Sequence, residues 1–103
     1  MLRKKVQGNG PVNVEITPST EGAIDSVRLT LSAASSTSEV MLVKLLSASG
    51  PAFNVTLNSQ DINSLSYYVW QPTRPHPFFT GDQIAVTWTN TNDVSWALEI
   101  IYR

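Results

Sequence analysis

The chain of 103 residues contains no cysteine and a single histidine. Without cysteine there is no disulfide framework, no thiolate nucleophile and no zinc site that needs sulfur, and one imidazole builds no histidine cluster. Charge is sparse as well. Seven Lys and Arg stand against eight Asp and Glu, a formal net charge of −1, which supplies no long-range field to gather phosphate or an anionic bilayer. Neither nucleic acid nor membrane is therefore expected as a partner. The longest apolar run, Val40–Val43, is far too short for a membrane span. The basic start, Met1–Val6, runs into Gln7-Gly8-Asn9-Gly10-Pro11 instead of an apolar stretch, so no secretory leader is expected.

What is abundant is hydroxyl and amide. Twelve Ser and ten Thr accompany only 15% charged residues, a composition that suits strands and turns better than helices. Short alternating runs follow one another along the chain. Val12, Val14 and Ile16 alternate with Asn13 and Glu15, and the run stops at Pro18–Gly22. Val27, Leu29, Leu31 and Ala33 alternate with Ser26, Arg28, Thr30 and Ser32, the signature of a sheet with one wet face. Val40–Leu46 is apolar except for Lys44 and predicts a central strand buried on both faces, closed by Ser47–Pro51. Phe53, Val55 and Leu57 are expected to point inward from the next strand, with a single helical turn over Ser59–Ser64. Leu65–Trp70 follows, then an extended connection over Gln71–Gly81, whose Pro72, Pro75 and Pro77 cannot donate to a ladder.

Two strands close the chain, Gln83–Thr89 and Ser95–Tyr102, around the turn sequence Asn90-Thr91-Asn92-Asp93, which predicts a hairpin. The pattern implies an all-β protein: one antiparallel β-sandwich over residues 11–103, jelly-roll-like, with seven strands, or eight if Leu2–Val6 joins a sheet edge. Residues 1–10 are read as an N-terminal arm. Such an arm is suited to adding a strand to a neighbour's open edge, and its removal is then expected to spare the fold.

Catalytic chemistry finds little purchase. His76, between Pro75 and Pro77, is the one side chain that ordinarily titrates near neutrality, yet nothing in the sequence fixes a nucleophile or carboxylate beside it. Asp61, Asp82 and Asp93 fall at turns without calcium-loop spacing. No catalytic residue, metal or cofactor is expected, and the chain reads as a non-enzyme. Asn54-Val55-Thr56 has the form of a glycosylation sequon but reads more simply as strand. The aromatics are more telling. In Tyr67–Trp70 the side chains of Tyr67 and Val69 point opposite to those of Tyr68 and Trp70, Ala97 and Ile101 lie opposite Trp96, Leu98 and Ile100, and Phe78-Phe79 follows the prolines. A thin sandwich hides only one such face, so Tyr67, Tyr68, Trp70, Phe78 and Phe79, with the basic Arg3, Lys4 and Lys5, are the candidate protein-interface residues. Sugar stacking on Tyr67, Trp70, Phe78 or Phe79 is the alternative use of the same rings.

The order Ser59-Gln60-Asp61, Tyr68-Val69-Trp70-Gln71-Pro72, Pro75-His76-Pro77-Phe78, Gly81-Asp82-Gln83-Ile84-Ala85-Val86 and Trp88-Thr89-Asn90 leading to Trp96–Ile100 resembles small β-rich proteins from the structural modules of tailed bacteriophages, over residues 27–102. The resemblance implies a virion component in the capsid, present in the host cytoplasm during assembly. Its implied role is that of a capsid decoration or cement protein, with tail, neck or fibre positions as the variant. The implied partner is the major capsid protein or another virion protein, and the chain is expected to form homo-oligomers.

Overall fold

The computed structural model describes all residues, Met1–Arg103, as nine strands with no α-helix. These are β1 (Leu2–Gly8), β2 (Val12–Ile16), β3 (Gly22–Leu31), β4 (Val40–Leu46), β5 (Val55–Asp61), β6 (Tyr67–Trp70), β7 (His76–Phe78), β8 (Gln83–Trp88) and β9 (Trp96–Tyr102). They form two sheets of antiparallel ladders, β1-β9-β3-β6 with β7 also on β3, and β2-β8-β4-β5. The protein is a β-sandwich. Its pairing is nested: β1 with β9, β2 with β8, β3 with β6 and β4 with β5, as if one long hairpin were wrapped across two layers.

The alternation read from the sequence sets the two inner faces. Val27, Leu29, Leu31, Trp96, Leu98 and Ile100 on one sheet meet Val12, Val14, Met41, Val43, Ile84, Val86 and Trp88 on the other in a cluster of sixteen buried residues. Ile24 has the wrong parity to join Val27 in an unbroken strand. A register shift between Ile24 and Ser26 absorbs Asp25 and turns Ile24 inward, where it is fully buried.

Leu2–Gly8 joins a sheet edge, as the eighth-strand alternative has it: it is paired along its whole length with β9 of the same chain, and the reading of residues 1–10 as a free arm is corrected. Val6 packs against the core from it. Other expectations are corrected as well. The strand Val40–Leu46 is central but covered on one face only: Met41 and Val43 are buried, while Val40 is exposed and Leu42 and Leu46 are half-buried. Phe53 and Val55 are exposed, because Pro51–Phe53 forms the one 3-10 turn and the strand starts after it. That strand then continues through the polar Asn58–Asp61, which an edge position tolerates, so no turn forms over 59–64 as a whole. The expected connection over Gln71–Gly81 is interrupted by β7, in which Pro77 stands opposite Ala23 of β3, while Pro72 and Pro75 lie in the irregular segment before it. Asn90–Asp93 is a turn, with Asp93 N–H donating to Asn90 C=O at 3.0 Å, but it joins β8 and β9 in different sheets and makes no hairpin.

Candidate functional site

The two ends of the sandwich differ in chemistry. At one end gather the β1–β2, β3–β4, β5–β6 and β8–β9 connections, and they are tied to one another by polar side chains. Buried Asn90 donates to the carbonyls of Gly10 (2.8 Å) and Val94 (2.9 Å) and accepts from Val94 N–H, with a positive φ of 50°. Trp96 Nε1 donates to the same Gly10 carbonyl at 2.7 Å. Glu39 accepts from Thr91 twice, and Asn92 donates to Ser36 and Thr37 hydroxyls. Asp61 accepts from the Ser38 hydroxyl and from Asn63 N–H, bonds that hold its carboxyl below the usual value of 3.8. These bonds explain why the Asn90 turn is an arch: its side chain spans from the β1–β2 loop to Val94, just before β9.

The opposite end carries five of the seven exposed large apolar side chains. Here the β4–β5 loop and the β7–β8 turn meet on Asp82, which is 6% exposed. One carboxylate oxygen of Asp82 accepts from Ala48 N–H at 2.9 Å and the other from Phe79 N–H at 2.9 Å. The turn Phe79–Asp82 is closed by Asp82 N–H donating to Phe79 C=O, with Gly81 in its third position at φ +91°, where a side chain would be strained. Each stapled loop carries an outward phenylalanine, Phe53 at 65% and Phe79 at 72% exposure, and exposed Val55 and Leu2 lie at the same end. Of the seven large apolar side chains left exposed, only Val40 and Tyr67 sit toward the polar end.

The candidate residues from the sequence do not form one strip. Phe78 is buried at 3% and packs edge-on against Tyr102, ring centres 6.3 Å apart, so it belongs to the core and is corrected as an interface residue. Tyr68 and Trp70 face inward and pack on the core, and Tyr68 Oη accepts from Asn58 Nδ2 at 2.9 Å. The reason is parity: their register partners Leu29 and Val27 are core residues. Tyr67 and Phe79 remain exposed, but at opposite ends of the molecule, so no common platform for a sugar ring unites them with Trp70 and Phe78. Arg3, Lys4 and Lys5 are exposed on β1. Arg3 pairs with Glu99 at 3.3 Å on the outer face, and charges along this outermost strand protect its open edge from unwanted pairing. Phe53 was missed because its alternation with Val55 and Leu57 mimics a strand.

His76 lies in β7 opposite Ile24, and Asp82 is committed to two backbone amides, so neither stands in a nucleophile or carboxylate pair. No three His, Asp or Glu side chains gather as a metal-holding group. No protein-family profile matches the chain, and no curated protein matches it in sequence. Among solved structures it is similar to the crystal structure of PirA, with a TM-score of 0.52 and 14% identity over 98% of this chain and 93% of that one. That likeness is one of fold.

Proposed function

We propose that this protein is a non-catalytic structural component of a tailed-bacteriophage virion. In this reading it is a capsid decoration or cement protein that binds the major capsid protein or another virion protein through its apolar end. The observation that carries the reading is the pair of loops tied together by Asp82, each presenting an exposed phenylalanine, Phe53 and Phe79, at one end of a small domain. The nested strand pairing also supports reading the sandwich as a jelly-roll, with β7 as a short addition to it. Burying a large apolar side chain is worth about 1.5–3 kcal/mol. A contact of this size is modest in one copy and becomes firm when repeated across a lattice.

The test is mass spectrometry of gradient-purified particles from the producing host, carrying either the natural chain or a Phe53→Ser, Phe79→Ser double variant. Both rings are exposed, so the variant keeps its fold. The expected result is the natural chain in fixed ratio to the major capsid protein and a loss of most of the variant. A chain absent from washed particles, or a variant retained at the natural ratio, would overturn the proposal.

A further inference from the structure

Seven asparagines occur in the chain, and one of them, Asn9, is followed by glycine. An asparagine before glycine is the pair most open to spontaneous ring closure, because the next residue presents its backbone nitrogen with no Cβ to screen it. The fold leaves this pair accessible. Asn9 is exposed in the bend between β1 and β2. Gly10 has no left-handed φ, and a Cβ added to it would meet no atom within 4 Å, so neither backbone strain nor packing calls for glycine there. Its carbonyl is held twice, by Trp96 Nε1 at 2.7 Å and by Asn90 Nδ2 at 2.8 Å, whereas its N–H donates to no group of the chain. The residue on the other side of Asn9 is anchored to the same indole. A Cβ added to Gly8 would lie 2.9 Å from Trp96 Cζ2, so the Gly8 backbone sits against the ring of that buried side chain. Asn9 is therefore a one-residue span between two contacts with Trp96.

We propose that Asn9-Gly10 is a self-modification site, at which deamidation to isoaspartate lengthens that span and releases the end of β1 from Trp96. The Gly10 nitrogen, giving its proton to solvent, bonds to Asn9 Cγ, and the side-chain amide leaves as ammonia, which closes a succinimide. One water then opens the ring. Attack at Cγ gives aspartate with the original backbone, and attack at the main-chain carbonyl gives isoaspartate, in which the chain runs through Cβ and Cγ. No oxidant or reductant takes part, and either product adds one negative charge. The aspartate product keeps both contacts with Trp96. The isoaspartate product has one more main-chain atom between Gly8 and Gly10, so the Gly8 packing and the Gly10 carbonyl bonds no longer fit one indole together. The ladder of β1 on β9 then loosens at the end where Gly8 stands opposite Trp96. This site is independent of the virion reading, because it lies away from Phe53 and Phe79 and needs no partner.

The experiment is storage of the purified full chain at mildly alkaline pH and physiological temperature, both folded and in urea. Mass spectrometry of the tryptic peptide Val6–Arg28 then resolves aspartate from isoaspartate. Conversion at Asn9 is expected in the folded chain, with isoaspartate the larger product and Asn13 of the same peptide unchanged. By NMR, the isoaspartate form should show a shifted Trp96 indole N–H and faster amide exchange along β1, while the aspartate form matches the natural chain in both. Gly10→Ala, whose Cβ has open space, should slow conversion about tenfold or more. Asn9→Gln should abolish it. An Asn9 that converts in urea but stays intact in the folded chain would overturn the site. A folded Gly10→Ala chain converting at the natural rate would overturn the ring closure, and an isoaspartate form with the natural Trp96 signal and β1 exchange would overturn the release. If Gly10→Ala loses its dispersed spectrum, an equal gain of acid in the Asn9→Gln chain refutes the ring closure in its place.

Discussion

Replacing Asp82 tests whether the apolar end is a built surface or a pair of independent loops. The carboxylate is 6% exposed and accepts two backbone N–H bonds of 2.9 Å, from Ala48 and Phe79. Hydrogen bonds to a charged group contribute about 1.5–3 kcal/mol each, and the two amides left bare in Asp82→Ala recover part of that from water at the end of the sandwich. A net loss of about 2–4 kcal/mol is expected for Ala, a large part of the ~5–15 kcal/mol that holds a domain of this size together. In melting temperature, at about 4–8 °C per kcal/mol, the loss is about 8–32 °C. Asp82→Asn keeps one oxygen but turns an NH2 toward the other donor, so it should recover less than half of the difference. Urea unfolding reads the free energy, and amide exchange at Ala48 and Phe79 reads the loops. A midpoint shift worth under about 0.5 kcal/mol for Ala, or an Asn variant as stable as the natural chain, would refute the reasoning.

Three further outcomes are expected. Deleting residues 1–10 should lower the urea midpoint, because it removes β1 from β9, strips Val6 from the core and takes away the Gly10 carbonyl that Trp96 Nε1 and Asn90 share; an unchanged midpoint would show the strand to be dispensable. The lowered pKa of Asp61 stabilises the loops at the polar end above the ordinary value of 3.8, and the effect is lost as pH falls through the lower native value; an NMR titration should place the Asp61 midpoint below 3.8, and Ser38→Ala should raise it. Trp96→Phe should cost roughly 1 kcal/mol more than Trp88→Phe by thermal unfolding, since the indole N–H of Trp96 donates to Gly10 while that of Trp88 is buried with no partner; equal losses would contradict it.

The strands and their facing were legible where one face is dry and the other wet. Val12/Val14, Val27/Leu29/Leu31 and Ile84/Val86/Trp88 obey the period of two and are core in the structure. The two-layer sandwich followed from that pattern. Three features were not legible, each for a physical reason. A turn sequence such as Asn90–Asp93 satisfies its local hydrogen bonds equally in a hairpin and in an arch, and the choice is made by Asn90 reaching Gly10, eighty residues away in sequence. The polar β5 lacks the alternation of a half-buried strand because it is an edge. The number of exposed aromatics was not legible because Tyr68, Trp70 and Phe78 pack on the core, while Phe53 loses its cover to a 3-10 turn begun by Pro51. Of the candidate interface residues, Tyr67, Phe79 and the β1 cations remain on the surface, and the joining of the loops that carry Phe53 and Phe79 depends on Asp82, which reads in sequence only as a turn residue.

Under the function proposed above, the end that carries Phe53 and Phe79 is the face that binds, and the two ends differ in how their loops are held. At the polar end, side chains bond to side chains and to carbonyls, so that Glu39, Asn90 and Asn92 are used up in holding loops together. At the apolar end Asp82 joins two loops through their backbone N–H groups, and Asn54 and Ser47 side chains brace the β4–β5 loop in the same way. That arrangement fixes the loops while leaving the rings of Phe53 and Phe79 outside, and a ring on a backbone already ordered loses less entropy on docking than one on a mobile loop. A loop with no partner to meet gains nothing from displaying a phenylalanine to water, and a hydroxyl-rich chain with 22 Ser and Thr had polar residues in plenty for those positions. Under the function proposed above, two large rings on a braced support are the surface that a virion partner covers.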